Sequence, residues 1–467
     1  MEKEQEPPPR RARRVLIAVA ASVAGCVALG GVLVLLPWER TQAPSAAKGT
    51  AAQTRSAVTT GVPAALPDLA ALIGEQRVRV RRHPESARSW AVLGAAYVEQ
   101  GRRTADPAYY PKAEEALRES LKVRGRRNVE ALDGLAALAV VRRDFPAARK
   151  WGEAARKVAP KRWTTRALLI EAYTGLGDYK AARRTLDRLM ELHSGPAVMA
   201  RAAAVYRDRG WREDAAAQLA DAAAGARAPA ERAAYLERAG QLAWERGDRE
   251  AALRHFQEAV RIDPDQRAAQ AGQARALAAL GRTSEALTAY QVALSKQPCP
   301  QYALELGELY ESLGLEQAAR VQYDLLRSLV YKAAEGGADE ELVLGQFEAD
   351  HGEAPAAVRR LRDEWRRQPG IAVADALGWA LHRAGQSDEA LRFARIATDK
   401  AHGGGVRSAP YAYHRGMIER ELGLFGPARR HLQEALRINP YFSPVHVSEA
   451  RAALEELGEP PAGDVPE

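Results

Sequence analysis

Two kinds of apolar pattern divide this chain. The first is unbroken: residues 15–37 read VLIAVAASVAGCVALGGVLVLLP, 23 positions without a charge. That is long enough to cross a bilayer core of about 30 Å at about 1.5 Å per helical residue. The second pattern begins near residue 67 and is periodic, with apolar positions recurring three and four residues apart in blocks of helical length. Between them, residues 39–66 are rich in Ala, Thr, Ser and Pro and show no amphipathic period, so they predict a flexible spacer.

The periodic region is punctuated. Gly177-Asp178-Tyr179, Gly247-Asp248-Arg249, Gly281-Arg282-Thr283 and Gly385-Gln386-Ser387 are followed by Ala182, Ala252, Ala286 and Ala390, and seven positions later by Leu189, Ala259, Ala293 and Ala397. Pro160, Pro264, Pro298, Pro369 and Pro440 then block further helix. Each unit predicts helix, Gly turn, helix and Pro stop. Small residues at fixed positions let two antiparallel helices approach closely, while Leu, Phe and Tyr fill the grooves between pairs.

These landmarks resemble the tetratricopeptide repeat family. Trp90, Leu93, Gly94 and Tyr97 keep the spacing of its first helix, as do Leu306, Gly307 and Tyr310, and Leu377 with Gly378. The second helix matches at Ala252, Phe256, Ala259 and Pro264, and at Ala286, Tyr290, Ala293 and Pro298. The resemblance implies an all-α, right-handed superhelical solenoid. Unit starts fall near residues 87, 129, 163, 196, 233, 267, 300, 338, 371 and 409. The organisation expected is a basic tail (1–14), a transmembrane helix (15–38), the spacer (39–66), a capping helix (67–86), about ten units (87–440), a second cap (441–458) and a disordered tail (459–467).

The resemblance further implies a concave groove, lined by the first helix of each unit, in which peptides dock. Mapped here, that groove presents Glu237, Gln241, Trp244 and Glu245, then Glu308 and Glu311, then Asp375, Trp379, His382 and Arg383, and finally Tyr413, Met417 and Arg420. Trp244, Trp379 and Tyr413 are its expected anchors, because large amphipathic aromatics dominate binding surfaces. Lys and Asn, which clamp a terminal carboxylate in some members, are replaced at the matching positions by Glu237, Gln241, Ala271 and Arg275. The clamp activity is therefore not expected.

Charge changes this picture little. The net charge is +8, and half of it lies in residues 1–66, so the repeats are nearly balanced; this favours a solvated surface over a phosphate-binding face, and nucleic acid is not the expected partner. Arg10, Arg11, Arg13 and Arg14 precede the apolar segment and only Arg40 and Lys48 follow it closely. The positive-inside bias keeps the N-terminus cytoplasmic and the repeats outside. Two other uses of the segment stay open: a lipoprotein signal with lipid on Cys26, suggested by Val23-Ala24-Gly25-Cys26, and a cleaved signal peptide.

Catalytic signatures are missing. The chain has no HExxH, GxxxxGK[ST], GxSxG or paired CxxC, and His402-Gly403-Gly404-Gly405 stands between units where a linker suffices. Neither a cofactor nor a metal is expected, and no enzyme activity. The expected function is a membrane-anchored scaffold that binds other proteins or peptides, with a lipoprotein adaptor or a polyanion binder as alternatives.

Overall fold

The computed structural model describes residues 48–399 and 405–458. The basic tail, the apolar segment with Cys26, the first part of the spacer, His402 and the C-terminal tail lie outside them. Among the described residues every regular element is a helix, and none is long and apolar enough to cross a membrane.

Helices α1 (Lys48–Thr60) and α2 (Leu66–Arg82) lead into ten antiparallel pairs, in each of which the first helix is A and the second B. Units 1 to 5 are α3/α4 (Ala87–Thr104, Tyr109–Arg124), α5/α6 (Val129–Val141, Phe145–Val158), α7/α8 (Trp163–Gly175, Tyr179–Leu192), α9/α10 (Pro196–Asp208, Arg212–Gly225) and α11/α12 (Pro229–Glu245, Arg249–Ile262). Units 6 to 10 are α13/α14 (Arg267–Ala279, Thr283–Lys296), α15/α16 (Pro300–Ser312, Glu316–Glu335), α17/α18 (Glu341–His351, Ala354–Arg367), α19/α20 (Ile371–Arg383, Ser387–Thr398) and α21/α22 (Ala409–Glu421, Phe425–Ile438). A single helix α23 (His446–Leu457) closes the series.

Local chemistry explains the boundaries. Asp144, Asp178 and Asp248 each accept a hydrogen bond from the amide of the third residue on, at 2.9–3.0 Å, and so cap the B helices of units 2, 3 and 5. Pro196, Pro229 and Pro300 open A helices at a position whose amide has no helical partner. Within units, glycine on helix A admits a large side chain from helix B. Leu117 fills the space where Cβ atoms of Gly94 and Gly134 would stand, and Phe256 fills that of Gly240 and Gly272. One bulky residue thus locks its own unit to the next.

Part of the expected spacer is helical. Val58 and Ala64 are buried against Leu69, Leu72, Val92 and Leu93, and Arg55 pairs with Glu75 at 3.1 Å. The Ala-rich stretch 51–58 carries one large buried residue, too few to produce a visible period; its helical propensity becomes structure once α2 and α3 offer a face.

The units wind tightly enough that successive turns of the superhelix touch. The turn between helices A and B of one unit meets the linker five units further on. Arg142 Nε donates to the Gly336 carbonyl (3.0 Å) and the Asp339 amide donates to the Arg142 carbonyl (2.8 Å). The Ile371 amide donates to the Tyr179 hydroxyl (3.0 Å), and Asn439 Nδ2 donates to the Trp244 carbonyl (2.8 Å). Unit 1 joins in through Arg103, which pairs with Asp263 at 2.8 Å in a buried site.

The A–B turns of units 3 to 7, 9 and 10 use glycine at positive φ. A Cβ on Gly177 (φ +71°), Gly210 (+75°) or Gly247 (+80°) would stand 2.3, 2.4 or 2.9 Å from the carbonyl oxygen of Pro369, Gly405 or Ile438, whereas Gly281 (+75°) has nothing within 4 Å. Gly281→Ala should therefore cost only the left-handed conformational penalty, about 1–2 kcal/mol. Gly177→Ala should cost visibly more, because backbone must also move; urea denaturation of the two variants side by side checks this, and equal losses would mean the turns are apart in solution.

Candidate ligand-binding channel

The predicted groove residues fall into two sets, and neither presents aromatic anchors to solvent. Trp244, Trp379, Tyr413 and Met417 are 7%, 3%, 0% and 6% exposed. This corrects the expectation of an open aromatic groove. The rings fill the seams between neighbouring A helices, where a narrow superhelix leaves no gap.

The first set forms a polar ladder across the A helices of units 4 to 7. Arg207 on α9 donates to both oxygens of Glu245 on α11 (2.6 and 2.7 Å), and Gln241 Nε2 donates to Glu245 (2.9 Å). Arg275 on α13 donates to Gln241 (2.8 Å) and to Glu305 on α15 (3.1 and 3.3 Å), and Glu305 also accepts from the Tyr290 hydroxyl (3.0 Å). Arg275 also lies 5.7 Å over the Trp244 ring. Burial raises the pKa of Glu237 beside this ladder. Further along, Glu311 accepts from Tyr323 (2.6 Å), and His351 stands 3.8 Å from Glu308 and 3.2 Å from Glu311.

The second set is an aromatic and histidine cluster in units 8 to 10. Trp379 Nε1 donates to Asp350 (2.8 Å) and its ring stacks on His414 at 4.4 Å, with His414 3.0 Å from Asp375. Tyr413 donates to Glu449 (2.6 Å) and stacks on His446. His446 bridges Asp350 (3.4 Å) and Glu449 (3.5 Å). His382, 3.0 Å from Ser387, has its pKa lowered by burial. Arg383 reaches the Ala349 carbonyl at 3.4 Å, and Arg420 pairs with Glu456.

The open space lies elsewhere. A cavity of about 780 Å³ opens inside units 1 to 5 and is walled by α1, α3, α5, α7, α9 and α11. Its lining carries Arg55, Arg88, Arg102, Arg124, Arg162, Arg201 and Arg238 against Glu99, Glu130, Asp133 and Glu171. A second cavity, of about 540 Å³, shares Val140, Glu171 and Arg201 with the first and continues between the two turns. Its walls are more apolar, with Phe145, Ile170, Val205, Leu342, Ile371 and Val373. Asp208 lines this second cavity, its pKa pushed up to about 6 by burial against the pull of Arg207.

Sequence reading missed these arginines. Arg201 and Arg238 hold the same place on the A helices of consecutive units, 37 positions apart. That recurrence, nine positions before the turn glycines Gly210 and Gly247, was the available signal, but it falls between the positions from which the groove was mapped. Cys299 has its pKa pushed up to about 11 by burial and so keeps its proton at neutral pH. No group of metal-ligating side chains with suitable placement occurs among the described residues.

The model of the tetratricopeptide repeat family matches residues 237–303 and 271–328. The repeats across residues 237–328 are of the tetratricopeptide type. Solved structures similar to the chain include the human IFIT1 dimer with PPP-AAAA (16% identity, 72% of this chain and 79% of that one, TM-score 0.46). Yeast Tom70 (12%, 78% and 96%, 0.35) and pilF of Pseudomonas aeruginosa (18%, 45% and 97%, 0.36) are also similar. No curated protein matches. The A helices supply most of the channel wall, and Arg124, Phe145, Tyr179 and Glu364 from B helices complete it.

The buried cluster at the end of the array yields two predictions. Trp379→Ala removes core, so it should cost about 3–5 kcal/mol and strip hydrogen-exchange protection from α17–α23 while α5–α14 keep theirs. His446 is pushed up to about 10: burial lowers its pKa, but hydrogen bonds to Asp350 and Glu449 outweigh this. Asp350 and Glu449 are held down at about 2, the first against burial, the second chiefly by its bond to His446. The cluster therefore stabilises fully between the unfolded carboxylate and histidine values, weakens as pH rises from 6.5 toward 10, and weakens again as pH falls below about 4. The thermal midpoint gap between native chain and His446→Gln should be wide at pH 6 and narrow at pH 10.

Proposed function

We propose that this protein is a non-catalytic, membrane-anchored scaffold that holds segments of other proteins inside its tetratricopeptide superhelix. The observation that carries this reading is the channel: two meeting cavities, lined mainly by A helices, polar at one end and apolar at the other. Cavities of this size fit a short stretch of polypeptide. The groove residues Glu237, Gln241, Glu308, Glu311, His382, Arg383 and Arg420, which retain partial exposure, extend the proposed contact surface along the array.

Anchoring by residues 15–37, with the N-terminus cytoplasmic and the repeats on the far side, is part of the proposal. It is supported by the length of the apolar run and by the arginines before it. Cys26→Ala should leave the chain in the membrane fraction after alkaline extraction. Release of that variant would assign attachment to lipid at Cys26 instead.

Site-specific photo-crosslinking in native membranes tests the scaffold. A photoreactive residue in place of Leu168, on the channel wall, should yield adducts with protein partners. The same residue in place of Val321, which is 60% exposed on α16, should yield few. Adducts from Val321 alone would place the binding surface outside the channel.

A further inference from the structure

The chamber inside units 1 to 5 gathers more positive charge than it neutralises. Arg102 is held by Glu99 (2.6 and 2.7 Å) and Arg162 by Asp133 (2.6 Å), while Arg201 pairs with Glu171. Arg88 and Arg238 make no hydrogen bond or ion pair among the described residues, although both line the chamber. Arg238 has only the carboxylate of its chain neighbour Glu237 as a nearby counter-charge, and Arg102 repels it.

Three guanidiniums from three elements meet here: Arg102 from α3, Arg201 from α9 and Arg238 from α11. Burial, and after it the charges of Arg238 and Arg102, lower the pKa of Arg201. A guanidinium keeps its proton at neutral pH regardless. The unfavourable energy therefore stays in the folded protein, and an arriving anion relieves it.

Which anion is decided by the rest of the lining. No aromatic ring among the described residues lines the chamber, so bases have no stacking platform. Val92, Val98, Val140, Val141 and Leu168 lie between the charges. Aliphatic side chains alternating with carboxylates match that mixture.

We propose that the chamber receives an acidic, aliphatic peptide segment, with Arg201 and Arg238 taking its carboxylates and Arg102 and Arg88 the next along the chain. The proposal rests on the scaffold reading and names the chemistry of what the scaffold holds. Arg–carboxylate contacts in a partly desolvated site are charge-assisted and geometrically selective, which makes the acidic residues the determinant of binding.

Fluorescence anisotropy with the full chain in detergent tests it. The probes are a labelled octapeptide of alternating Asp and Val, its Asn-Val counterpart and labelled octathymidylate. The Asp-Val peptide should bind, with the Asn-Val peptide at least about tenfold weaker. Arg238→Gln breaks no internal pair, so it should keep native helicity and lose about tenfold in affinity. Arg238→Lys should recover part of that loss, and Arg184→Gln on the exposed side of α8 should change nothing.

Equal binding of the Asp and Asn peptides would overturn the proposal. So would unchanged affinity in Arg238→Gln, or tighter Arg238-dependent binding of octathymidylate, which would make the chamber a nucleic-acid site. If crosslinks from position 168 capture proteins while the acidic peptide is not preferred, this inference alone fails. If position 168 captures none and neither peptide binds, the scaffold reading fails with it.

Discussion

The architecture depends on backbone meeting backbone at the A–B turns of units 3, 4 and 5. At Gly177, Gly210 and Gly247 the facing carbonyl of the next superhelical turn comes closer than any side-chain carbon permits. Glycine supplies a left-handed φ at seven of the A–B turns, but only these three also need its lack of a side chain. Gly281, Gly314, Gly385 and Gly423 have positive φ and open space beyond. The difference marks where one turn of the superhelix lies on another. Residues that share a place in the repeat thus answer to different constraints according to whether a later unit covers them.

Close winding converts a groove into a channel. Once the turns touch, the A helices no longer present a broad concave face; aromatic rings between them become core, and polar side chains must find partners within the wall. The Arg207–Glu245–Gln241–Arg275–Glu305 ladder is such a solution, satisfying buried charges in pairs across four consecutive A helices. The same enclosure raises the energetic weight of every charge left over, because water inside cannot screen it as bulk solvent does. Arg103 shows the cost from the other side: its Nη2 reaches Asp263, yet its Nε and Nη1 find no partner among the described residues. Pairing across the turns is thus incomplete in at least one place.

Much of the local fold was legible in the sequence. The Gly turns, the Asp caps that follow some of them and the Pro residues at linkers specify helix ends through short-range chemistry, and Gly94, Gly307 and Gly378 mark close helix contacts that need no knowledge of the rest of the chain. What was not legible is long-range. Nothing local to Asn439 announces that its amide reaches Trp244, 195 positions earlier. Nothing around Trp379 tells whether its ring is an anchor for a partner or a seam between helices, because both uses favour an amphipathic aromatic. That choice is made by the pitch of the superhelix, which sums small rotations over many units. The helix at 48–60 was hidden for a related reason, since an Ala-rich stretch shows its period only when a neighbour selects one face.

Contact between the turns is the central claim, and a distance measurement tests it directly. Spin labels on cysteines replacing Lys180 and Arg366, with Cys26 and Cys299 changed to serine, sit on opposite sides of the Gly177–Pro369 contact and far apart in sequence. Pulsed electron–electron resonance on the full chain should return a single narrow, short distance. A broad distribution at long distance would show that the superhelix is open in solution and that no enclosed channel exists.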